Sequence, residues 1–151
     1  MLNNMKKILA LLFLLPLTFI SCGEDEENFV QQNYLVGKWE IIQTGARSPQ
    51  GVILYQDYVN NSNCKDNYIF NADFTFESND YASEGACVST VISGTYDRFS
   101  TNVTLNYSVI VNGNPQQVSK SFTVISLTYT EVILAYTNDV NQIIYLKMQK
   151  A

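Results

Sequence analysis

Cys22, Cys64 and Cys87 are the only thiols in a chain of 151 residues, and no histidine accompanies them. The missing imidazole removes Ser-His-Asp and Cys-His nucleophile activation, the histidine general base and most zinc sites. No two cysteines stand at the C-x-x-C spacing of a redox or metal motif. Carboxylates are what is left for acid–base work. Asp66, Asp73, Asp80 and Glu84 lie close in sequence and could be imagined as a carboxylate pair or a calcium loop, but the D-x-[DN]-x-[DN]-G spacing is absent. They read as turn formers and solvated strand-face charges. No catalytic residue, metal site or cofactor is expected, so the chain is read as a non-enzyme. The rival, an enzyme with carboxylate chemistry, needs two carboxyl groups held close in a cleft.

Cys22 has a context of its own. Lys6 and Lys7 precede an apolar run from Ile8 to Ile20, too short to span a hydrocarbon core of about 30 Å and suited to the h-region of a secretory signal. The run ends at Phe19-Ile20-Ser21-Cys22, which resembles the lipobox of bacterial lipoproteins, with Phe19 where leucine is usual. That resemblance implies cleavage before Cys22 and diacylglycerol on its sulfur. Two or three acyl chains hold stably where one binds reversibly, at about 0.8 kcal/mol per buried methylene. The other reading is an ordinary signal peptide with a cysteine nearby. Glu24-Asp25-Glu26-Glu27 then looks like the acidic tract that sends lipoproteins of the Bacteroidota to the outer face of the outer membrane. It equally suits a solvated tether of self-repelling charge, and the periplasmic face is the alternative location. With Cys22 taken, Cys64 and Cys87 in an exported chain read as a disulfide.

The elements that must carry these groups are strands. Ten Tyr, eight Phe and many Val, Ile and Thr favour extended structure, and an apolar content of 46% predicts a packed core. Three segments are expected: a leader 1–21, an acidic lipidated tether 22–33 and one domain 34–151. Without Lys6 and Lys7 the mature chain keeps seven bases against fourteen acids, a net charge of −7 that repels phosphate backbones. Nucleic-acid binding is discounted. Short β runs separated by Gly, Asn, Asp and Pro are placed at Gly37–Gln43, Lys65–Asn71, Phe74–Asn79, Cys87–Phe99, Val103–Val111, Val118–Ser126, Glu131–Thr137 and Asn141–Met148. Turns are expected at Asn71-Ala72-Asp73, Asn112-Gly113-Asn114-Pro115 and Thr137-Asn138-Asp139. Val103, Leu105, Tyr107, Val109 and Val111 share one face, opposite Thr104, Asn106 and Ser108. Eight hairpin-linked strands predict an all-β, antiparallel up-and-down barrel, since closure removes two unpaired edges. Thr44–Asn63 stays open between an extra strand and a lid.

The ordered set Leu35-Val36-Gly37-Lys38-Trp39, Cys64 to Phe70, Asp73 to Phe76, Cys87, Ser93 to Tyr96 and Leu127-Thr128 resembles the lipocalin-like lipoproteins of the Bacteroidota, over most of Leu35 to Met148. The resemblance implies an eight-stranded lipocalin-like barrel with Gly37 and Trp39 at its closed end. There a cation from the last strand covers the indole, Lys147 or Lys150 in place of the usual Arg. Trp39 is then structural, not a ligand site. The functional expectation is a membrane-anchored protein binding a small apolar molecule, or part of one, inside the barrel. The alternative is a non-catalytic envelope or surface protein with a packed core that contacts another protein or a glycan. Tyr68, Tyr96, Tyr107, Tyr129, Tyr136 and Tyr145 are candidates to line a cavity or to fill the core and barrel ends. Tyr55, Tyr58 and Tyr81 are candidates for exposed contact residues. Ligand residues themselves are not assigned.

Overall fold

Alternation of inward and outward side chains builds every strand of the domain. The computed structural model describes residues 33–60, 62–81 and 87–151, so the leader, Cys22, most of the acidic tether and Glu84 lie outside the described residues. Nine strands follow in order: β1 (Gly37–Arg47), β2 (Ile53–Asp57), β3 (Asn67–Phe70), β4 (Thr75–Asp80), β5 (Thr90–Phe99), β6 (Asn102–Val111), β7 (Asn114–Leu127), β8 (Glu131–Thr137) and β9 (Ile143–Lys150). Each pairs antiparallel with its neighbour, and β9 returns to β1 from Trp39↔Lys150 to Ala46↔Ile144. The sheet is a closed eight-stranded barrel without a free edge across the seam.

Nine strands fill eight positions because β2 and β3 lie end to end along β1. β2 pairs with Gln43–Arg47, and β3 with Gly37–Glu40. Between them the Tyr58 amide donates to the Ile42 carbonyl, and the Ile41 amide donates to the carbonyl of Asp66. The ladder therefore leaves at Tyr58 and resumes at Asp66, so the chain makes an excursion between these two adjacent rungs. The β1–β9 register slips at the same height, between Ile41 and Gln43, where Ile42 is the extra residue of a bulge. The unassigned Thr44–Asn63 segment is thus the upper half of β1, the hairpin partner β2 and most of this excursion. All eight expected strands are present; β1 and β7 run longer than expected.

Turn chemistry sets the registers. Asn112 and Gly113 both have positive φ, 52° and 80°, and join β6 to β7 with Val111 opposite Asn114. That is the two-residue type I′ hairpin favoured by Asn-Gly. Asn141, φ 63°, closes the β8–β9 turn. Phe74 takes φ 64° after Asn71-Ala72-Asp73, a costly conformation for a bulky side chain, and its ring packs 5.6 Å from that of Tyr96.

The core occupies one half of the barrel. Leu35, Trp39, Phe70, Phe76, Tyr96, Val103, Leu105, Phe122, Val132, Leu134 and Met148 are essentially inaccessible. Leu35 precedes β1 and plugs this end. Its carbonyl accepts from the Trp39 indole Nε1 at 2.6 Å, and Asn33 donates to the Tyr96 hydroxyl at 3.1 Å.

Candidate binding site at the barrel mouth

Above that floor the inward side chains are only half-buried. Cross-strand register places them one layer up: Tyr68 opposite Ser78, Ser78 opposite Ile92, Tyr107 opposite Val118, and Tyr136 opposite Ile144. Tyr58, Tyr68, Ile92, Tyr107, Tyr136 and Ile144 pack against the core from above while retaining access to solvent. One pocket in this layer, about 210 Å³, is bordered by Ile41, Tyr58, Asp66, Tyr68, Ser78, Asp80, Tyr136 and Leu146. It is smaller than the roughly 300–1,000 Å³ of drug-sized sites. It suits a ring or a short chain segment.

Lys120 belongs to the same layer. It stands opposite Leu105, between inward Val118 and inward Phe122, while Ser119 and Ser121 face outward. Its Nζ lies 4.1 Å from the Tyr136 ring centre and 5.2 Å from that of Phe122. Among the described residues no carboxylate comes within ion-pair distance of it. Burial pulls its ammonium below the usual lysine value, and the charge of Asp139 acts in the other direction. Burial likewise pushes the Tyr68 hydroxyl up to about 12, against a hydrogen bond from Ser78. Tyr136 is raised by burial and then by Asp139.

Asn60, Cys64 and Asp66 tie this excursion to the rim. Asp66, 6% exposed, accepts from the Tyr58 hydroxyl, from Asn60 Nδ2 at 2.8 Å and from the Tyr81 amide at 2.8 Å. Asn60 also donates to the Cys64 carbonyl at 2.8 Å, and Cys64 is disulfide-bonded to Cys87. Burial and the Asp66 bond both drive the Tyr58 hydroxyl upward. These four hydrogen bonds and the disulfide tie Tyr58, Asn60, Cys64 and Asp66 to one another and to Tyr81 and Cys87.

A sequence model of the lipocalin-like domain matches residues 35–134. The chain belongs to this lipocalin-like family. No curated protein sequence matches it. Among solved structures, a lipocalin-like protein from Bacteroides uniformis ATCC 8492 superposes with a TM-score of 0.53 at 18% identity, over 78% of this chain and 99% of the other. An uncharacterized protein from Bacteroides eggerthii DSM 20697 gives 0.49 at 16% identity, over 77% and 98%. At such identity the first likeness speaks to fold alone.

The lipocalin-like barrel places the sequence-selected residues unevenly. Gly37 and Trp39 sit at the closed end, but the cation over Trp39 is Lys150, not Lys147. The register decides it: Lys150 pairs with Trp39 on the inward parity, whereas Lys147 pairs with Gln43 and Ile133 on the outer face and bonds Glu131 at 2.9 Å. Of the tyrosines, Tyr68, Tyr107 and Tyr136 reach the mouth, and Tyr96 fills the floor. Tyr129 is an exposed turn residue beside Lys150, at 5.1 Å, and Tyr145 is buried on the outer wall, accepting from Arg47 Nε at 3.2 Å. Tyr55, Tyr58 and Tyr81 are all half-buried rather than exposed. Asp73 makes a turn, accepting from the Thr75 amide and hydroxyl, while Asp66 and Asp80 border the pocket. Lys120 was not singled out from sequence, although Val118-Ser119-Lys120-Ser121-Phe122 carries it on the apolar parity.

Proposed function

We propose that this lipocalin-like protein is a lipid-anchored carrier or receptor holding a small, mainly apolar molecule in the open half of its barrel. One observation carries the reading: a layer of half-buried inward side chains, drawn from both sides of the barrel, lies over a solid aromatic floor. Such a layer leaves apolar surface that a ligand would cover at about 25 cal/mol per Å². Anchoring rests on the Phe19-Ile20-Ser21-Cys22 sequence, and display on the outer surface rests on the acids after it. Tyr55, Tyr58 and Tyr81, the aromatics on which the envelope-interaction alternative leaned, are half-buried.

Native mass spectrometry of protein beginning after the acidic tether tests the binding role. Co-purifying mass of a few hundred daltons, lost on denaturation, is expected. A bare chain that gains no mass from any apolar mixture refutes it. Mass analysis of the processed N-terminus tests the anchor, with acylated Cys22 as the expected product.

A further inference from the structure

The exposed apolar side chains of the barrel are sorted by end. Among the described residues the exposed aromatics are Tyr34, Phe74, Phe99 and Tyr129. The exposed aliphatics, Val52, Leu54, Val59, Ile110 and Val140 among them, lie toward the mouth, with Ile125 on the outer wall. All four rings belong to the closed end. Tyr34 precedes β1, Phe74 lies between β3 and β4, Phe99 ends β5, and Tyr129 lies between β7 and β8. Hydrogen bonds knit these segments round the plugged floor. Asn33 donates to the Tyr96 hydroxyl at 3.1 Å, that hydroxyl donates to the Asn71 carbonyl at 3.0 Å, and Arg98 donates to Asn33 at 2.9 Å. Across the end, the Lys150 amide donates to the Thr130 carbonyl at 2.9 Å and the Ala151 amide to that of Lys38 at 3.0 Å. Two of the rings do little for the fold. Phe99 is 83% exposed, and Phe74 leaves its ring 54% exposed in a positive-φ conformation that Asn or Gly adopts with less strain. Exposed apolar residues scattered singly need no account, but exposed aromatics confined to one end of a barrel do.

We propose that the closed end is a membrane-docking face, its four rings lying in the headgroup layer of the bilayer that carries the lipid anchor, with the mouth opening away from it. The proposal rests on the anchor at Cys22 and adds the pose. Cys22 precedes Asn33 by eleven residues, a tether of at most about 40 Å at full extension. β1 alone is 11 residues long, so docking by the mouth would need that tether drawn out along the whole wall. Docking by the closed end needs none of it. Aromatic rings gather where an apolar phase meets a wet one. Charges of both signs stand at this end, Arg98 and Lys150 with Asp73 and Glu131, so the contact rests on the rings rather than on anionic lipid. Two or three acyl chains already hold the protein, and the rings set its orientation. A ligand then enters and leaves the barrel on the side facing away from that membrane.

The test is amide exchange of the chain from Cys22 to Ala151, coupled through the Cys22 thiol to maleimide-bearing lipid in phosphatidylcholine vesicles. Cys64 and Cys87 are joined, so Cys22 is the thiol that couples. The reference is the same chain capped with a soluble maleimide. On vesicles, turns 71–74, 99–101 and 128–130 are expected to exchange at least about threefold more slowly, with turns 48–51, 112–113 and 138–141 unchanged. Phe99→Ser combined with Tyr129→Ser should return the closed-end turns to the rate of the capped chain. Slowing at the mouth turns, or at neither end, overturns the docking face. Protection that survives the loss of both rings does the same. Both substituted side chains are exposed, and the unaltered chain decides between the two ends without them. The maleimide supplies the attachment, so the two readings fail separately. An unacylated Cys22 in the mass analysis overturns the anchor and with it this pose in the envelope, whereas equal exchange at both ends overturns the docking face alone.

Discussion

The ammonium of Lys150 stands 5.2 Å from the centre of the Trp39 ring and 5.1 Å from that of Tyr129, so one cation is held between an indole inside the barrel and a phenol at its rim. Trp39 is fully inaccessible, and the lysine stem covers Gly37, where an added Cβ would meet Lys150 Cε at 2.6 Å. Lys150→Met should therefore cost about 0.5–2 kcal/mol of stability. Lys147→Met should cost less than about 1 kcal/mol, because its pair with Glu131 is largely solvated. Chemical denaturation of both variants checks the order. Equal losses would mean that the Trp39–cation contact contributes nothing beyond an ordinary surface pair.

Two glycines separate backbone freedom from space. Gly113 sits at φ 80° in the β6–β7 turn with nothing near its missing Cβ. Gly113→Ala should cost about 1 kcal/mol, through conformation alone. Gly94 has an ordinary φ, but a Cβ there would drive into the Asn106 carbonyl oxygen of the neighbouring strand. Gly94→Ala should cost more, about 2–3 kcal/mol, since backbone must move and the β5–β6 ladder opens. Thermal or denaturant midpoints of the pair decide the matter. The reverse ranking would show that the β5–β6 approach is looser than its geometry implies.

The disulfide and Asp66 should be separable. Joining Cys64 to Cys87 across 23 residues stabilises by about 3 kcal/mol in the chain-entropy model. Its removal by Cys64→Ser with Cys87→Ser acts mainly on the unfolded chain. Asp66→Ala instead strands the Tyr58 hydroxyl, Asn60 and the Tyr81 amide in the folded state, at about 1–3 kcal/mol. Amide exchange should then rise selectively at Tyr58 and Tyr81 in the Asp66 variant. Uniform acceleration over the whole barrel would instead place Asp66 in the global fold.

Legibility followed periodicity. Glu131–Thr137 is found as expected because its Val132, Leu134 and Tyr136 alternate cleanly between Asn- and Thr-rich turns, and Asn112-Gly113 fixes its hairpin by φ alone. The second barrel position was not legible, because nine residues separate β2 from β3 and neither strand reveals that both pair with β1. The bonds at Ile41 and Ile42 set them on adjacent rungs of β1, and Asp66 bonds back to Tyr58 and Asn60. The cation over Trp39 depended on register by the same logic. Lys147 and Lys150 differ by three residues, hence by parity, and without the β1–β9 register the sequence could not choose between them. Lys120 was visible in principle, as a charge on the inward parity. A single lysine in an apolar stripe is easily read as a slip of register, and closure of the barrel is what makes it an interior group.

Alkaline pH offers a measure of how dry the mouth is. Burial holds the Tyr68 hydroxyl at about 12, above the ordinary tyrosine value of about 10, with the bond from Ser78 only partly offsetting it. The folded state thus keeps a proton that the unfolded chain releases first. Stability from this source is complete below pH about 10 and is lost as pH rises toward 12. One such group contributes a slope of at most about 1.4 kcal/mol per pH unit. Tyr55, Tyr58, Tyr96 and Tyr136 are raised as well, so Tyr68→Phe should lessen the alkaline decline without removing it. Denaturant midpoints of both proteins from neutral pH to about 11 supply the comparison. A slope unchanged by Tyr68→Phe would mean that the hydroxyl ionises as freely in the barrel as outside it, and a water-filled mouth of that kind would offer an apolar ligand far less than the layer of half-buried rings suggests.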